Sequence, residues 1–422
     1  MHLKIFSLAI KSLRFRKFSV GLTIFSLAIS IMLLFGVDTI RVQTKSNFIN
    51  TISGTDLIVG SRSGSVQLLL YSVFHIGNAT NNVSWESYQK IINHPRVSWS
   101  IPISLGDSHK GYRVIGTTQD YFTHYRYHKN KQLEFSLGKQ FDNLFDVVIG
   151  ANVAKELSYS SGDNIILAHG MGNVSLSEHK NLPFTISGIL APTASPIDNS
   201  IFISLQSLEA IHIGWEHGVA SKAELNADQI KPDDSRLKTK LITAFFLGLT
   251  SKHDVFNIQR AINDYKQEPL LAIIPGVALL DLWKVVGIVE KVLLLIAGLV
   301  VITGLLGMLA IILTNLNSRR REIAILRSIG ASPMAILFMM IIETELLVLI
   351  GIVLGLGFMY ISLIVLNPFL QDSIGLAIEL MPLSLFQWIL LGGILVAGFI
   401  ISFIPAFSAY RKTLQDGLSI RS

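Results

Sequence analysis

Residues 285–333 read VVGIVEKVLLLIAGLVVITGLLGMLAIILTNLNSRRREIAILRSIGASP. The apolar run from Val285 to Leu316 is interrupted only by Glu290 and Lys291 near its start, so an uncharged core begins at about Val292. A helix needs ~20 such residues to cross a hydrocarbon layer of ~30 Å, and this run is long enough with length to spare for tilt. Three consecutive arginines, Arg319, Arg320 and Arg321, end it, and a short segment closed by Gly330 and Pro333 follows. An apolar stretch that stops against clustered arginine reads as a membrane span reaching the cytoplasmic surface.

Working outward, three more apolar stretches have spanning length: Ser19–Val37, Met334–Leu366 and Phe386–Tyr410. Half of the 422 residues are hydrophobic and only 15% are charged, and the mean hydropathy is +0.52, which excludes an ordinary soluble chain. The first stretch follows a basic segment, as a signal peptide would. It exceeds an h-region, however, and continues as Val37-Asp38-Thr39-Ile40-Arg41 without a small-residue cleavage pattern, so it reads as a retained span. The net charge of +6 is concentrated beside the spans: Lys4, Lys11, Arg14, Arg16 and Lys17 before the first, the arginines of 319–327 after the second, and Arg411, Lys412 and Arg421 after the fourth. The 367–385 loop holds Asp372 and Glu379 and no Lys or Arg. The positive-inside rule then puts both termini and the 317–333 loop in the cytoplasm and residues 38–284 outside. A nucleic-acid face would need that positive charge on a folded surface, so nucleic acid is excluded as a partner.

The outside region alternates short strands and helices. Strands are expected at Asp56–Val59, Val97–Ile103, Tyr112–Ile115, Val147–Ile149, Ile165–Leu167, Phe184–Ile189 and Ile201–Ile203. Helices are expected at Ser84–Ile92, Asn152–Leu157, Leu205–Ile211 and Val255–Tyr265, the last with Asp254 as N-cap. Segment 222–240 reads as a polar loop. No cysteine is present, so the domain folds without disulfides, and a fragment from about Gln43 to Gln267 is expected to fold alone. After Pro275, the residues Val277, Leu280, Trp283 and Val286 share a helical face and lead into the second span as a stalk. The fold class is thus four transmembrane α-helices plus a large α+β extracytoplasmic domain inserted between helices 1 and 2. The expected domains are 1–40 (cytoplasmic amphipathic segment and helix 1), 41–283 (the outside domain) and 284–422 (stalk and helices 2–4).

Arg319-Arg320-Arg321-Glu322-Ile323-Ala324-Ile325-Leu326-Arg327-Ser328-Ile329-Gly330-Ala331 resembles the R-x-x-E-I-x-x-L-R-x-x-G-A segment of the FtsX/MacB/LolC group of ABC-transporter permeases. Other pieces resemble the group in the same order. They are Leu3–Lys17 before the first span, the one-plus-three arrangement of spans, Val148-Ile149-Gly150-Ala151, Ser161-Gly162-Asp163, Phe184–Leu190 with Ile197-Asp198, and Pro405-Ala406 near the end. The ending departs from the group in carrying Asp416-Gly417-Leu418. The resemblance implies that the segment between spans two and three docks on an ABC-type ATPase subunit. It makes Arg319, Arg321, Glu322, Ile325, Leu326, Arg327, Ile329 and Gly330 the candidate coupling residues. It also implies a second permease copy, identical or paralogous, and a periplasmic or outer-membrane partner protein. The setting is the bacterial inner membrane. Independently, Ile325 and Ile329 one turn apart form an apolar ridge suited to a groove, while the arginines suit acids on an ATPase, anionic lipid, or simply the topology.

Enzymatic chemistry finds no residues. There is no G-x-x-x-x-G-K-[ST], so ATP and magnesium are expected on the partner and no cofactor in this chain; His-Glu-x-x-His is missing, and Gly60-Ser61-Arg62-Ser63-Gly64 has Arg62 where G-x-S-x-G needs serine. His124 and His128 would share a face if 121–128 were helical and are the candidate metal ligands, without a local carboxylate to complete a set. Glu343 and Glu345 fall inside the third span, where a carboxylate is costly, either as polar contacts between helices or near an interface if the helix starts later. Gly351, Gly355 and Gly357 of the same span suit close helix packing. The reading is therefore a permease subunit that converts hydrolysis in an ATPase into movement of its outside domain, driving efflux, extraction or periplasmic work. The alternatives are a membrane sensor whose outside domain binds a ligand or protein, and a metal-linked transporter.

Overall fold

The computed structural model describes residues 17–49, 51–128, 130–169, 177–178, 181–213, 229–231, 233–318, 320–374 and 378–415. Segments Leu3–Arg16, 222–228 and 416–418 therefore lie outside the described residues, as does Arg319. Two compact units emerge. One contains the chain up to Gln43, Gly287–Phe369, and the chain from Ile378 onward; the other contains Thr44–Val286 and the segment beginning at Leu370.

The first unit is built on four long helices: α1 (Lys17–Ile49), which runs on into the second unit, and three that are numbered below in chain order. The α+β unit follows, with α2 (Ser65–Val73), α3 (Trp85–Ile92), α4 (Asp120–His124), α5 (Ala151–Leu157), α6 (Leu205–His212) and α7 (Val255–Asn263). Its strands are β1 (Leu57–Ser61), β2 (Val97–His109), β3 (Tyr112–Thr117), β4 (Phe135–Gly138), β5 (Asp146–Ile149), β6 (Phe184–Leu190), β7 (Ser200–Ser204), β8 (Ala244–Leu249) and β9 (Leu270–Ile273). The chain then forms α8 (Pro275–Ser318), α9 (Arg320–Ser328), α10 (Pro333–Ile374) and α11 (Leu385–Gln415).

The sheet runs β9-β1-β8-β2-β3-β7-β5-β6-β4. Neighbours are antiparallel except β3 with β7 and β5 with β6. Each parallel pair needs a crossover, and α5 lies in one of them. Two glycines let backbones approach, and a third makes room for an indole ring. A Cβ on Gly150 would lie 2.3 Å from Ile197 O, one on Gly188 2.2 Å from Lys139 O, and one on Gly248 2.0 Å from the Trp99 indole nitrogen. Gly150 also accepts Ala154 N and so begins α5, which explains why Val-Ile-Gly-Ala sits at that corner. The Ser161-Gly162-Asp163 turn docks on β6: Gly162 N donates to Ile186 O and Ile186 N to Asp163 O, both at 2.9 Å.

Five expectations for this unit change. Strand Ile165–Leu167 shrinks to Asn164–Ile165. Helices α2 and α4 and strands β4, β8 and β9 add to those expected. Asp254 does not cap α7 with its side chain; Ser251 opens a 3-10 turn there, and Asp254 instead pairs with Arg96. Segment 229–240 is not wholly loop, because Ser235–Leu237 is a 3-10 turn capped by Asp234. A fragment ending at Gln267 would leave out β9, which pairs with β1.

All four long helices, α1, α8, α10 and α11, are apolar enough to cross a membrane. The expected stalk and second span are one continuous helix, α8, because no proline follows Pro275 at its first position and its glycines stay in helical register as far as Ser318. Their outward faces carry exposed Phe25, Ile29, Leu33, Leu295, Leu299, Ile302, Val353, Ile361, Val396 and Ile400, a surface suited to lipid. Small residues bring α1 to the centre. A Cβ on Gly351 would meet Leu27 at 2.8 Å, one on Gly355 would meet Ala28 O at 2.8 Å, and one on Gly304 would meet Ser30 Oγ at 2.7 Å. Gly357, expected to share that role, faces open space. Thr23 and Ser30 donate to the carbonyls of Ser19 and Ser26, which satisfies their hydroxyls within the apolar layer.

Candidate functional site

The short helix α9 connects α8 to α10 and has two unlike faces. Ile323 is 8% exposed and packs with Leu316, Ile336, Met340, Ile341, Ala406 and Ala409, which come from α8, α10 and α11. Ile325 and Ile329 are 52% and 78% exposed, and Glu322 is also exposed. Spacings of three and four put Glu322, Ile325 and Ile329 on one helical stripe, opposite Ile323. Leu326 and Arg327 are half-buried at the margin.

Backbone chemistry fixes where this helix stops. Gly330 has φ +97°, a left-handed conformation that suits glycine. Ala331 N donates to Leu326 O and Gly330 N to Arg327 O, both at 3.0 Å, which is the paired bonding of a Schellman stop. Ser332 Oγ accepts from Ala335 N at 3.2 Å, and Pro333 opens α10, a position where its missing N–H costs nothing. The Gly-Ala-Ser-Pro run thus ends one helix and starts the next within four residues. Arg327 Nη1 also reaches Ala331 O at 3.4 Å, so that arginine supports the turn. Arg321 lies on α9 by its backbone.

Helix α10 begins at Pro333, so Glu343 and Glu345 lie about three turns in. Glu343 is buried, and Glu345 Oε1 is buried without a hydrogen bond close to where a Cβ on Gly398 of α11 would sit. Glu345 therefore lies at the contact between α10 and α11, and Glu343 is buried within the helical unit. The two histidines do not come together on a helix. α4 ends at His124, whose ring stacks on Trp99 at 5.1 Å, and His128 lies beyond β-bridged Tyr127 with φ +29°. Among the described residues, no group of three or more His, Asp or Glu side chains is arranged to hold a metal ion.

Two family models match the chain in the order in which these units occur. The MacB-like periplasmic core domain covers residues 20–244, and the FtsX-like permease C-terminal domain covers residues 294–414. The chain belongs to the FtsX/MacB-type family of ABC-transporter permeases. Within that family, four apolar helices flank a MacB-like periplasmic α+β domain set between the first and second. FtsX/MacB-type permeases are membrane components that work with ABC ATPase partners. The macrolide export ATP-binding/permease protein MacB of Photorhabdus laumondii is 24% identical over 276 residues, covering 63% of this chain. The chain spans 38% of that relative's length. Among solved structures, the periplasmic region of MacB from Actinobacillus actinomycetemcomitans aligns with 56% of this chain and 95% of its own at 8% identity and TM-score 0.34. The extracellular domain of the noncanonic ABC-type transporter YknZ from Gram-positive bacteria aligns with 52% and 99% at 12% identity and TM-score 0.31.

Proposed function

We propose that this FtsX/MacB-type permease docks α9 on an ABC ATPase, and that hydrolysis there drives movement of the periplasmic unit. The observation that carries this reading is the two-faced α9: Ile323 is held by the bundle while Ile325 and Ile329 stand exposed on the other side. An isoleucine pair without cover is costly in water and useful in a groove. The 422 residues contain no P-loop, so ATP and magnesium belong to the ATPase. In this reading its part is mechanical: to bind the ATPase, to hold register in the bundle, and to carry motion along α8. A second permease copy and a periplasmic or outer-membrane protein complete the proposed assembly. The Photorhabdus laumondii relative is named for macrolide export, and outward movement of a compound or extraction of a membrane-held cargo is the corresponding work here.

The arginines and lysines beside the spans support a cytoplasmic position for both termini and α9 in this reading. Because the chain has no cysteine, single cysteines report this directly. Ser177→Cys and Ser373→Cys label from outside in intact cells, and Ser318→Cys does not.

The docking test follows from relative magnitudes. A fully buried isoleucine contributes roughly 1.5–3 kcal/mol, whereas an exposed ion pair contributes ~0–1 kcal/mol. Ile325→Asp and Ile329→Asp therefore abolish co-purification with an ABC ATPase and its stimulated hydrolysis, while Arg320→Ala changes little. Gly330→Val weakens coupling too, since a β-branched residue resists φ near +97°. Aspartate variants that insert normally and stimulate hydrolysis like wild type sink the docking assignment and leave the sensor as the better reading.

A further inference from the structure

At the end of the helical unit away from α9, α1 carries a group of polar residues that the docking face does not use. Asp38 is 0% exposed, with Arg41 Nη2 at 3.3 Å from one carboxylate oxygen. Neither Asp38 oxygen has a well-aligned hydrogen bond, and Arg41 Nε is also buried without one. Gln387 reaches Asp38 only marginally, because it is also bonded on both sides. Its Nε2 donates to Thr39 Oγ1 at 3.1 Å, and its Oε1 accepts from Ser384 N at 3.0 Å. In return Gln387 N donates to Ser384 Oγ at 3.2 Å, so Ser384-Leu385-Phe386-Gln387 forms a capping box at the start of α11.

The chain that precedes this cap is fastened across the same end. The Gln43 carboxamide pairs with the backbone of Glu379 in both directions: its Nε2 donates to Glu379 O, and its Oε1 accepts from Glu379 N at 2.6 Å. Ile378 N donates to Asn367 Oδ1 at 2.8 Å, and Tyr360 OH donates to Met381 O at 3.1 Å. Every one of these bonds joins residues 378–381 to α1 or α10 through a side chain, with no strand or helix ladder behind it before α11 begins at Leu385.

We propose that residues 378–387 form a lid over this end of the bundle, fastened by Gln43 and pressed toward opening by the buried charge of Asp38. Two opposed terms set its position. Closure makes the Gln43, Asn367 and Tyr360 bonds and buries Ile378, which is 3% exposed. It also holds the Asp38 carboxylate out of water against a cation that is itself partly exposed, a state whose desolvation cost the pair does not recover. Opening lets water reach Asp38 and removes that cost. A lid balanced in this way responds to small movements of α1.

The reporter is Ile378→Cys in the full chain, which has no other cysteine, reconstituted in lipid nanodiscs and followed by maleimide labelling. No ATPase is required, so the result stands apart from the docking assignment. Gln43→Ala speeds labelling by about tenfold, as the loss of two hydrogen bonds implies. Asp38→Asn slows it by about threefold or more, since it removes the buried charge that favours opening. Arg41→Gln speeds it, because Asp38 is then buried without its cation; this variant decides the matter should Asp38→Asn fail to give a monodisperse protein. Equal rates in wild type and Gln43→Ala overturn the lid. Asp38→Asn labelling as fast as or faster than wild type, or Arg41→Gln no faster, overturns the role of the charge.

Discussion

His75 sits at φ +56°, just after α2, and touches a strand from the other half of the sheet. Ser200 Oγ donates to Pro196 O at 2.9 Å, so it accepts from His75 Nδ1, also at 2.9 Å. Burial, and then the nearby Arg113 guanidinium, push this imidazole down to about 3. Arg113 is itself held in place, donating to Gly77 O and Asn78 Oδ1 at 2.7 Å each. The sign follows from proton counting: between pH 6.5 and 3 the unfolded chain binds a proton on this histidine and the folded one does not. Its contribution is complete above pH 6.5 and is lost as pH falls below it. His75→Asn, which tolerates the left-handed backbone, should flatten the fall in melting temperature between pH 6.5 and 4.5. A variant curve parallel to wild type over that range would show that the acid response lies elsewhere. Nothing in the sequence singled out His75, because its environment is made by residues 38 and 125 positions away. Gly330, by contrast, was legible: a glycine after a short amphipathic segment and before Ser-Pro has one common use.

Helices and strands were legible to the degree that one face meets water. α3, α6 and α7 alternate at helical period, and the strands flanked by turn residues announced themselves. β8 and β9 did not. Ala-Phe-Phe-Leu-Gly-Leu and Leu-Leu-Ala-Ile are almost entirely buried, so no polar side marks their pleat, and a continuous apolar run does not distinguish strand from buried helix. Helix α9 was readable as a motif, but the division between its faces needed the structure, since only packing shows that Ile323 faces the bundle and Ile325 the solvent. Helix packing was read in the same partial way. Gly351 and Gly355 do admit α1, whereas Gly357 does not. This difference is testable. A side chain at Gly355 meets a backbone oxygen, Ala28 O, which has no rotamer to yield, while one at Gly357 enters open space. Overpacking of this kind costs ~1–3 kcal/mol or more. Gly355→Leu should therefore lower the temperature at which the detergent-solubilised protein loses its monodisperse peak, and Gly357→Leu should not. Equal behaviour of the two would mean that α1 can slide away from α10 freely.

For the molecule as a whole, the spans and the order of units were legible in the sequence, but the self-folding fragment it suggested, Gln43–Gln267, stops short of one strand. The chain returns to the sheet as β9, pairing with β1 from Ile58 to Ser61, before it enters α8. Leu270, Ile273 and Leu279 are each at most 4% exposed and belong to the cores of the α+β unit. Three buried aliphatic side chains contribute roughly 5–9 kcal/mol as an upper estimate, comparable with the ~5–15 kcal/mol net stability of a whole domain. No disulfide is available to compensate. The fragment Thr44–Val286, which matches the compact unit, is therefore expected to unfold in one cooperative transition in urea. The fragment Gln43–Gln267 is expected to show none, and to bind a hydrophobic dye while retaining much of its far-ultraviolet signal, as a chain with secondary structure but an unfinished core does. If the shorter fragment unfolded as sharply and at the same urea concentration as the longer one, β9 and the first turns of α8 would be passive additions. α8 could not then be anchored in the periplasmic core strongly enough to carry motion along its length.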